Sequence, residues 1–293
     1  MAGGRPTPLE RFSDSVWLKR EDVHELGSFK WRGATALIEA LEPEVLVTAS
    51  TGNHGAATAW AARRAGIRAI VFVPEEVSAT KLALIEANGG EVHRVGADLD
   101  EAKDAARALA EAEGHFWFED GEWPAQWWGY SAIAEDLVEQ LGEPPGAVVT
   151  PVGNGALAIG VGAALQRDAP DAVRVGVVAA AAPVMADSWE AGRPVEGREC
   201  ATFADGMAVR VAIPHAVEEL AWAVQRMVRV SEQELARAVA EYGRAGIRVE
   251  GAAAASLAAL RQLGSLPEPV VLIVTGRNID DALYASVLAS AQT

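Results

Sequence analysis

Val45-Leu46-Val47-Thr48-Ala49-Ser50-Thr51-Gly52-Asn53-His54-Gly55 decides the fold of this 293-residue chain. Val45 to Ala49 is a short β-rich run that ends in a polar glycine turn. Ala56 to Ala65 then reads as a helix closed by Gly66. The same alternation continues outward. Ile67 to Val73 is a strand stopped by Pro74, Ser78 to Asn88 a helix stopped by Gly89-Gly90, Glu91 to Val95 a strand and Leu99 to Glu113 a helix. It resumes after Gly146: Ala147 to Thr150 is a strand, Gly155 to Arg167 a helix, Val173 to Val178 a strand. This order predicts an α/β fold with parallel sheets and helices on both faces. Asp187 to Asp205 reads as loop, Ile213 to Val224 as helix, and Ser231-Glu232-Gln233-Glu234 as the capped start of a helix running to about Tyr242. A last short helix covers about Ile279 to Ala291, with no room beyond it for a C-terminal regulatory domain.

Bulk properties narrow the function. Net charge is −16 and half the residues are hydrophobic, so a large core is available while nucleic acid and anionic membranes are poor partners. Cys200 is the single cysteine, so no internal disulfide forms. No uncharged apolar run is long enough to span a membrane, and the first residues lack the apolar core of a signal peptide. A cytoplasmic protein is expected. Trp117, Trp123, Trp127 and Trp128 crowd one segment, read first as packing at a domain junction and otherwise as a lid or a wall for a substrate.

Four glycine-bearing motifs carry the chemistry. Lys30 lies in Gly27-Ser28-Phe29-Lys30-Trp31-Arg32-Gly33-Ala34, between two aromatic residues that can keep its amine from full hydration. Taken alone it reads as an ordinary surface helix lysine, which is what most lysines are. Ser50-Thr51-Gly52-Asn53-His54-Gly55 opens a helix whose N-terminal N–H groups suit a carboxylate, although an unliganded cap turn looks the same. Pro151-Val152-Gly153-Asn154-Gly155-Ala156-Leu157 sits in the same strand–turn–helix context and suits a phosphate. It matches neither the dinucleotide fingerprint nor the P-loop. Thr275-Gly276-Arg277-Asn278 follows the strong β run Val270 to Val274, where an open parallel sheet binds ligands. The chain has only four lysines and four asparagines, and three of the asparagines (Asn53, Asn154, Asn278) fall in these motifs. One reactive amine with three polar glycine turns suits a cofactor bearing an aldehyde, a phosphate and a ring, which is pyridoxal phosphate. Zinc is disfavoured because His54, His93 and His115 lack ligand spacing, and no Gly-x-Ser-x-Gly elbow occurs.

Taken in order, these motifs resemble the fold-type II pyridoxal-phosphate enzymes, in particular the threonine/serine dehydratase and serine racemase group. Leu18-Lys19-Arg20-Glu21-Asp22 with Ser28-Phe29-Lys30-x-Arg32-Gly33-Ala34 is the most specific match. Thr202-Phe203-Ala204-Asp205-Gly206 and Val249-Glu250-Gly251-Ala252 also agree. The resemblance implies two three-layer α/β/α domains with mainly parallel sheets and the cofactor in the cleft between them. Residues 1–44 with 126–293 would form the large cofactor domain and 45–125 the small carboxylate-binding domain. It implies that Lys30 forms the Schiff base and removes the α-proton, with Phe29 beside the cofactor and Asn53 on the ring hydroxyl. Gly153, Asn154, Gly155, Ala156 and Leu157 would hold the phosphate, and Thr275 the pyridine nitrogen. Ser50, Thr51, Asn53 and His54 would surround the substrate carboxylate.

Three departures bear on the reaction. Asn154 and Ala156 interrupt a loop that usually carries four glycines in dehydratases; Gly153-Asn154 with Ser50-Thr51-Gly52-Asn53 resembles threonine synthase, but the rest of the chain does not. Thr51 stands where racemases carry a serine as second-face acid and many threonine dehydratases an alanine. Ala182 and Ser188 replace the acids of the group's divalent-cation site, so no metal is expected. The leading expectation is an ammonia-lyase that turns a β-hydroxy L-amino acid into a 2-oxo acid and ammonia. Amino-acid racemisation through Lys30 and Thr51 is the alternative. A threonine synthase-like β-replacement or elimination follows it, then a catalytically weak binding protein. The expected partners are a small amino acid and further copies of the chain, as a homo-oligomer.

Overall fold

A computed structural model describes residues 6–197 and 200–291. Residues 1–5 and 198–199, which include the start of the chain and part of the expected Asp187–Asp205 loop, lie outside the described residues. Among the described residues ten strands occur in chain order: β1 (Leu9–Arg11), β2 (Val16–Arg20), β3 (Val45–Ala49), β4 (Arg68–Val73), β5 (Glu91–Arg94), β6 (Phe116–Trp117), β7 (Ala147–Pro151), β8 (Val173–Ala179), β9 (Arg226–Val230) and β10 (Val270–Val274). They form two sheets in two compact units, one running from Lys30 to Gly129, the other made of residues 6–29 and 130–291 among those described.

The Lys30–Gly129 unit holds a four-stranded sheet, ordered β5-β4-β3-β6, with every pairing parallel. Its strands are short, and the central two, β3 and β4, are rich in β-branched residues. Helix Leu99–Glu113 presses Ala102, Ala106 and Ala110 onto Val47, Ala49, Ile70 and Phe72. Small residues at helical spacing let that helix lie close to the sheet. On helix Asn53–Ala65, Ala56, Ala57, Ala59 and Trp60 are buried, and Trp60 meets Trp31 of helix Lys30–Leu41 edge-on at 6.2 Å between ring centroids.

The second unit holds a six-stranded sheet, ordered β1-β2-β10-β7-β8-β9. Only β1 is antiparallel. Strands β7 and β10 are buried at every position, as expected of central strands covered on both faces.

Most expected elements fall within a residue or two of those observed. The expected loop from Asp187 is corrected: helix Val184–Ala191 covers its beginning, ending on Gly192 in the left-handed region at φ 63°. Asp187 and Glu190 of this helix both pair with Arg229. Helix Gly251–Leu260 was not expected at all. Its first nine residues are buried, so an apolar stripe never develops against a polar face. Trp128 is 73% exposed, whereas Trp127 is buried.

Candidate active site

In each sheet the chain changes direction of growth once. Strands β3, β4 and β5 step to one side, and β6 returns to the other flank of β3. Likewise β7, β8 and β9 step one way and β10 returns beside β7. Loops diverge at such a point and open a crevice beyond the carboxyl ends of the strands. The sequence-predicted residues, Phe29 and Lys30 apart, follow β3, β7 and β10.

In the Lys30–Gly129 unit, Ser50, Thr51 and Gly52 follow β3, and Asn53 and His54 open the next helix. Ser50 Oγ accepts the N–H of Gly52 at 3.2 Å. A Cβ on Gly55 would stand 3.0 Å from the Ser50 carbonyl and 3.1 Å from Val71, so a larger residue would crowd the start of the helix against the sheet. His54 is buried, with Nε2 3.1 Å from Thr48 Oγ1 and 3.4 Å from the Phe118 carbonyl. Its ring stands edge-on to Phe118 at 4.5 Å. Burial pushes the imidazole below its ordinary value and Lys30 adds to this, with Asp120 opposing. His54 is therefore a neutral donor–acceptor near pH 7.

Lys30 is the first residue of helix Lys30–Leu41, where the helix dipole disfavours a cation. A residue that the sequence did not single out compensates. The Lys30 ammonium donates to both oxygens of Asp120, at 2.8 and 2.7 Å. Asp120 also accepts from Gln126 Nε2 at 2.8 Å and lies 3.4 Å from His54 Nδ1. Burial favours the protonated carboxyl, but the charge and hydrogen bond of Lys30, with the Gln126 bond, outweigh it and hold Asp120 far below the usual carboxylate range. The turn carrying Asp120 is fixed from helix Pro124–Leu141. Gln126 Oε1 accepts the Gly121 N–H at 2.7 Å, and Trp127 Nε1 donates to the Gly121 carbonyl at 2.9 Å. Two members of this segment thus act through backbone anchoring. Asp120 stands just past β6, a strand of two residues, too short to announce itself in a sequence.

In the other unit, the predicted phosphate residues join β7 to helix Ala156–Asp168. Gly155 adopts φ 98°, a left-handed value that strains other residues. A Cβ on Gly153 would lie 2.5 Å from the Gly206 carbonyl. The Thr202–Gly206 motif therefore supports the loop from behind. Asn154 Oδ1 accepts the Ala156 N–H at 3.2 Å, so this substitution fills one of the donors that a glycine would leave open. Thr275 follows β10, next to β7. Its hydroxyl is buried with no hydrogen-bond partner among the described residues. Phe29 donates its N–H to the Thr275 carbonyl at 3.0 Å and packs its ring against Tyr130, 4.9 Å between centroids. Asn278, in the same motif, donates to the Leu26 carbonyl at 2.7 Å and ties down the segment leading to Lys30.

The Leu18–Asp22 motif proves structural. Lys19 is fully buried, donating to the Thr7 carbonyl at 2.6 Å and Gln140 Oε1 at 2.9 Å, with Asp136 at 3.7 Å. Thr7 donates in turn to Glu21.

One unit thus carries a carboxylate-paired lysine, and the other a helix-opening glycine turn after β7 with an unpartnered hydroxyl after the adjoining strand. Residues 1–276 match the pyridoxal-phosphate dependent enzyme family, and the chain belongs to it. L-threonine ammonia-lyase of Geobacter sulfurreducens is 32% identical over 278 residues, covering 92% of this chain and 69% of that one. Biosynthetic L-threonine dehydratase of Pasteurella multocida is 30% identical over 280 residues, and the chain spans 54% of its length. The processed form of threonine deaminase isoform 2 from Solanum lycopersicum superposes with a TM-score of 0.93 at 28% identity, covering 98% of this chain and 88% of that one. The fold is that of the fold-type II enzymes.

The residues present fit pyridoxal phosphate. The loop after β7 offers backbone N–H groups at a helix N-terminus, where a phosphate is favoured. The orphaned Thr275 hydroxyl is buried beside it in the sheet order, and such a group calls for a partner.

Proposed function

We propose that the protein is an ammonia-lyase that converts a β-hydroxy L-amino acid, L-threonine or L-serine, to the 2-oxo acid and ammonia. The observation carrying this reading is the paired lysine at the head of helix Lys30–Leu41, within a chain that matches a threonine ammonia-lyase over 92% of its length. Lys30 is the amine and the base for the α-proton. Gly153, Asn154, Gly155, Ala156 and Leu157 hold the phosphate, Thr275 meets the ring nitrogen, Asn53 the ring hydroxyl, and Phe29 flanks the cofactor. When bound, pyridoxal phosphate supplies the aldehyde and an electron-withdrawing ring that stabilises charge at the α-carbon.

The chain's own groups do the rest. The helix N-terminus at Ser50–His54 holds the substrate carboxylate with N–H groups and hydroxyls, which orients the α-hydrogen toward Lys30. Neutral His54 adds no charge there. Thr275 offers a hydroxyl where a carboxylate would force a proton onto the ring, which favours elimination of the β-hydroxyl over longer-lived carbanion chemistry. Thr51 keeps a hydroxyl on the loop, and racemisation through Lys30 and Thr51 is the rival outcome. The same reading makes the protein a cytoplasmic homo-oligomer acting on a free amino acid, with neither nucleic acid nor membrane as partner. Among the described residues no helix is long and apolar enough to cross a membrane.

The test is 2-oxo acid release from cofactor-loaded protein across β-hydroxy amino acids, with substrate chirality followed in the same tubes. Oxo acid from threonine or serine, lost in Lys30→Ala, is the expected result. Loss of optical purity without oxo acid would replace the lyase by a racemase.

A further inference from the structure

The family's chemistry needs the Lys30 nitrogen as a free amine, yet that nitrogen is clamped. Both carboxylate oxygens of Asp120 lie within 2.8 Å of Nζ, and Asp120 is itself held by Gln126, whose side chain is fully buried. Lys30 is 13% exposed and Asp120 29%, so water competes poorly for either partner. Charge-assisted hydrogen bonds of this length are the strong ones. The neighbouring Glu119 does not share the duty, because Lys103 pairs with it at 2.5 Å.

We propose that Asp120 is a positioning residue for Lys30, parking its nitrogen as an ammonium whenever that nitrogen is not covalently engaged and so setting when it can bond to a carbonyl carbon. An ammonium has no lone pair. One proton must leave Nζ, to Asp120 or to water, before the C–N bond forms. The two protons left on nitrogen then depart with the carbonyl oxygen as water. The two hydrogen bonds to Asp120 must be given up for Nζ to reach a carbonyl carbon, and they can form again after Lys30 has accepted a substrate proton. This role rests on Lys30 being the reactive amine of the proposed function, but its test needs neither cofactor nor turnover, so the two can fail separately.

The full chain, stripped of cofactor, is treated with formaldehyde and a mild borane reductant, and methylation of each of the four lysines is timed by peptide mass spectrometry. Asp120→Asn should speed methylation of Lys30 by about tenfold or more, the scale of a charge-assisted bond. Half-buried Lys81 should keep its rate, and Asp120→Glu should return Lys30 to slow reaction. Fully buried Lys19 reports unfolding. If it becomes reactive in Asp120→Asn, the comparison passes to Gln126→Leu, which loosens Asp120 without removing its charge and should raise Lys30 alone. A Lys30 rate that stays at the wild-type value in the folded variant overturns the proposal.

Discussion

Phe29 gives its backbone N–H to the carbonyl of Thr275 at 3.0 Å, while the hydroxyl of the same threonine is buried without a partner among the described residues. The main chain of Thr275 thus braces the residue before Lys30 while its side chain is left for a ligand. Thr275→Val separates the two. The backbone bond survives, and removing an unsatisfied buried hydroxyl leaves stability unchanged or about 1 kcal/mol higher. Cofactor affinity should fall about tenfold, the worth of one hydrogen bond. Thermal unfolding of the cofactor-free protein and a cofactor titration check both halves.

Gly153→Ala tests the loop after β7. The added methyl meets the Gly206 carbonyl at 2.5 Å, a backbone atom that cannot rotate away. A cost of about 1–3 kcal/mol in stability is expected from overpacking. Cofactor affinity should weaken with it, because relief of the clash moves the phosphate-binding N–H groups. Denaturant midpoints with and without pyridoxal phosphate measure it, and a variant as stable as wild type would contradict the close approach.

Lys19→Met should destabilise by about 2–4 kcal/mol, the cost of leaving buried acceptors unpaired. The Thr7 carbonyl and Gln140 lose the Lys19 donor, and Asp136 loses a nearby cation. Turnover per folded molecule should hold below the midpoint temperature. A drop in that turnover at full foldedness would give the Leu18–Asp22 motif a chemical role.

His54 makes folding pH-dependent. Its folded-state value is depressed by burial, so the unfolded chain binds a proton that the folded chain refuses. Stability is therefore complete above the unfolded value near pH 6.5 and declines as pH falls below it, by at most about 1.4 kcal/mol per pH unit. Asp120, also depressed, contributes in a separate window: its stabilisation is present above the unfolded carboxylate value near pH 3.9 and is lost below that. Denaturation at about pH 7 and pH 5 should show the first decline, and His54→Gln should flatten it.

The alternation of strands and helices was legible because short, continuous apolar runs mark the buried parallel strands, longer alanine-rich stretches mark the helices, and glycines punctuate both. Lys30 and the three glycine turns were legible because each breaks that rhythm with residues a plain loop does not need. Asp120 was not. Its setting depends on β6 returning to the far side of β3, a tertiary event that two strand residues cannot signal. Nor could sequence tell that Asn278 braces Leu26, since an asparagine in a polar turn looks alike whether it serves the backbone or a ligand. Lys19 misleads in the opposite sense. A lysine in a short strand suggests solvent, and only the fold shows that its ammonium replaces water for a buried carbonyl.

The crossing back of β6 and of β10 gives each sheet a working rim and an idle one. The idle rims, at the amino ends of the strands, include Glu42–Glu44 ahead of β3 and Pro144–Gly146 ahead of β7, and they carry none of the proposed site residues. Affinity tags, fluorescent reporters or tethers spliced into the exposed stretches there would leave the chemistry at the opposite rim untouched. They would also give a handle for following each half of the molecule independently.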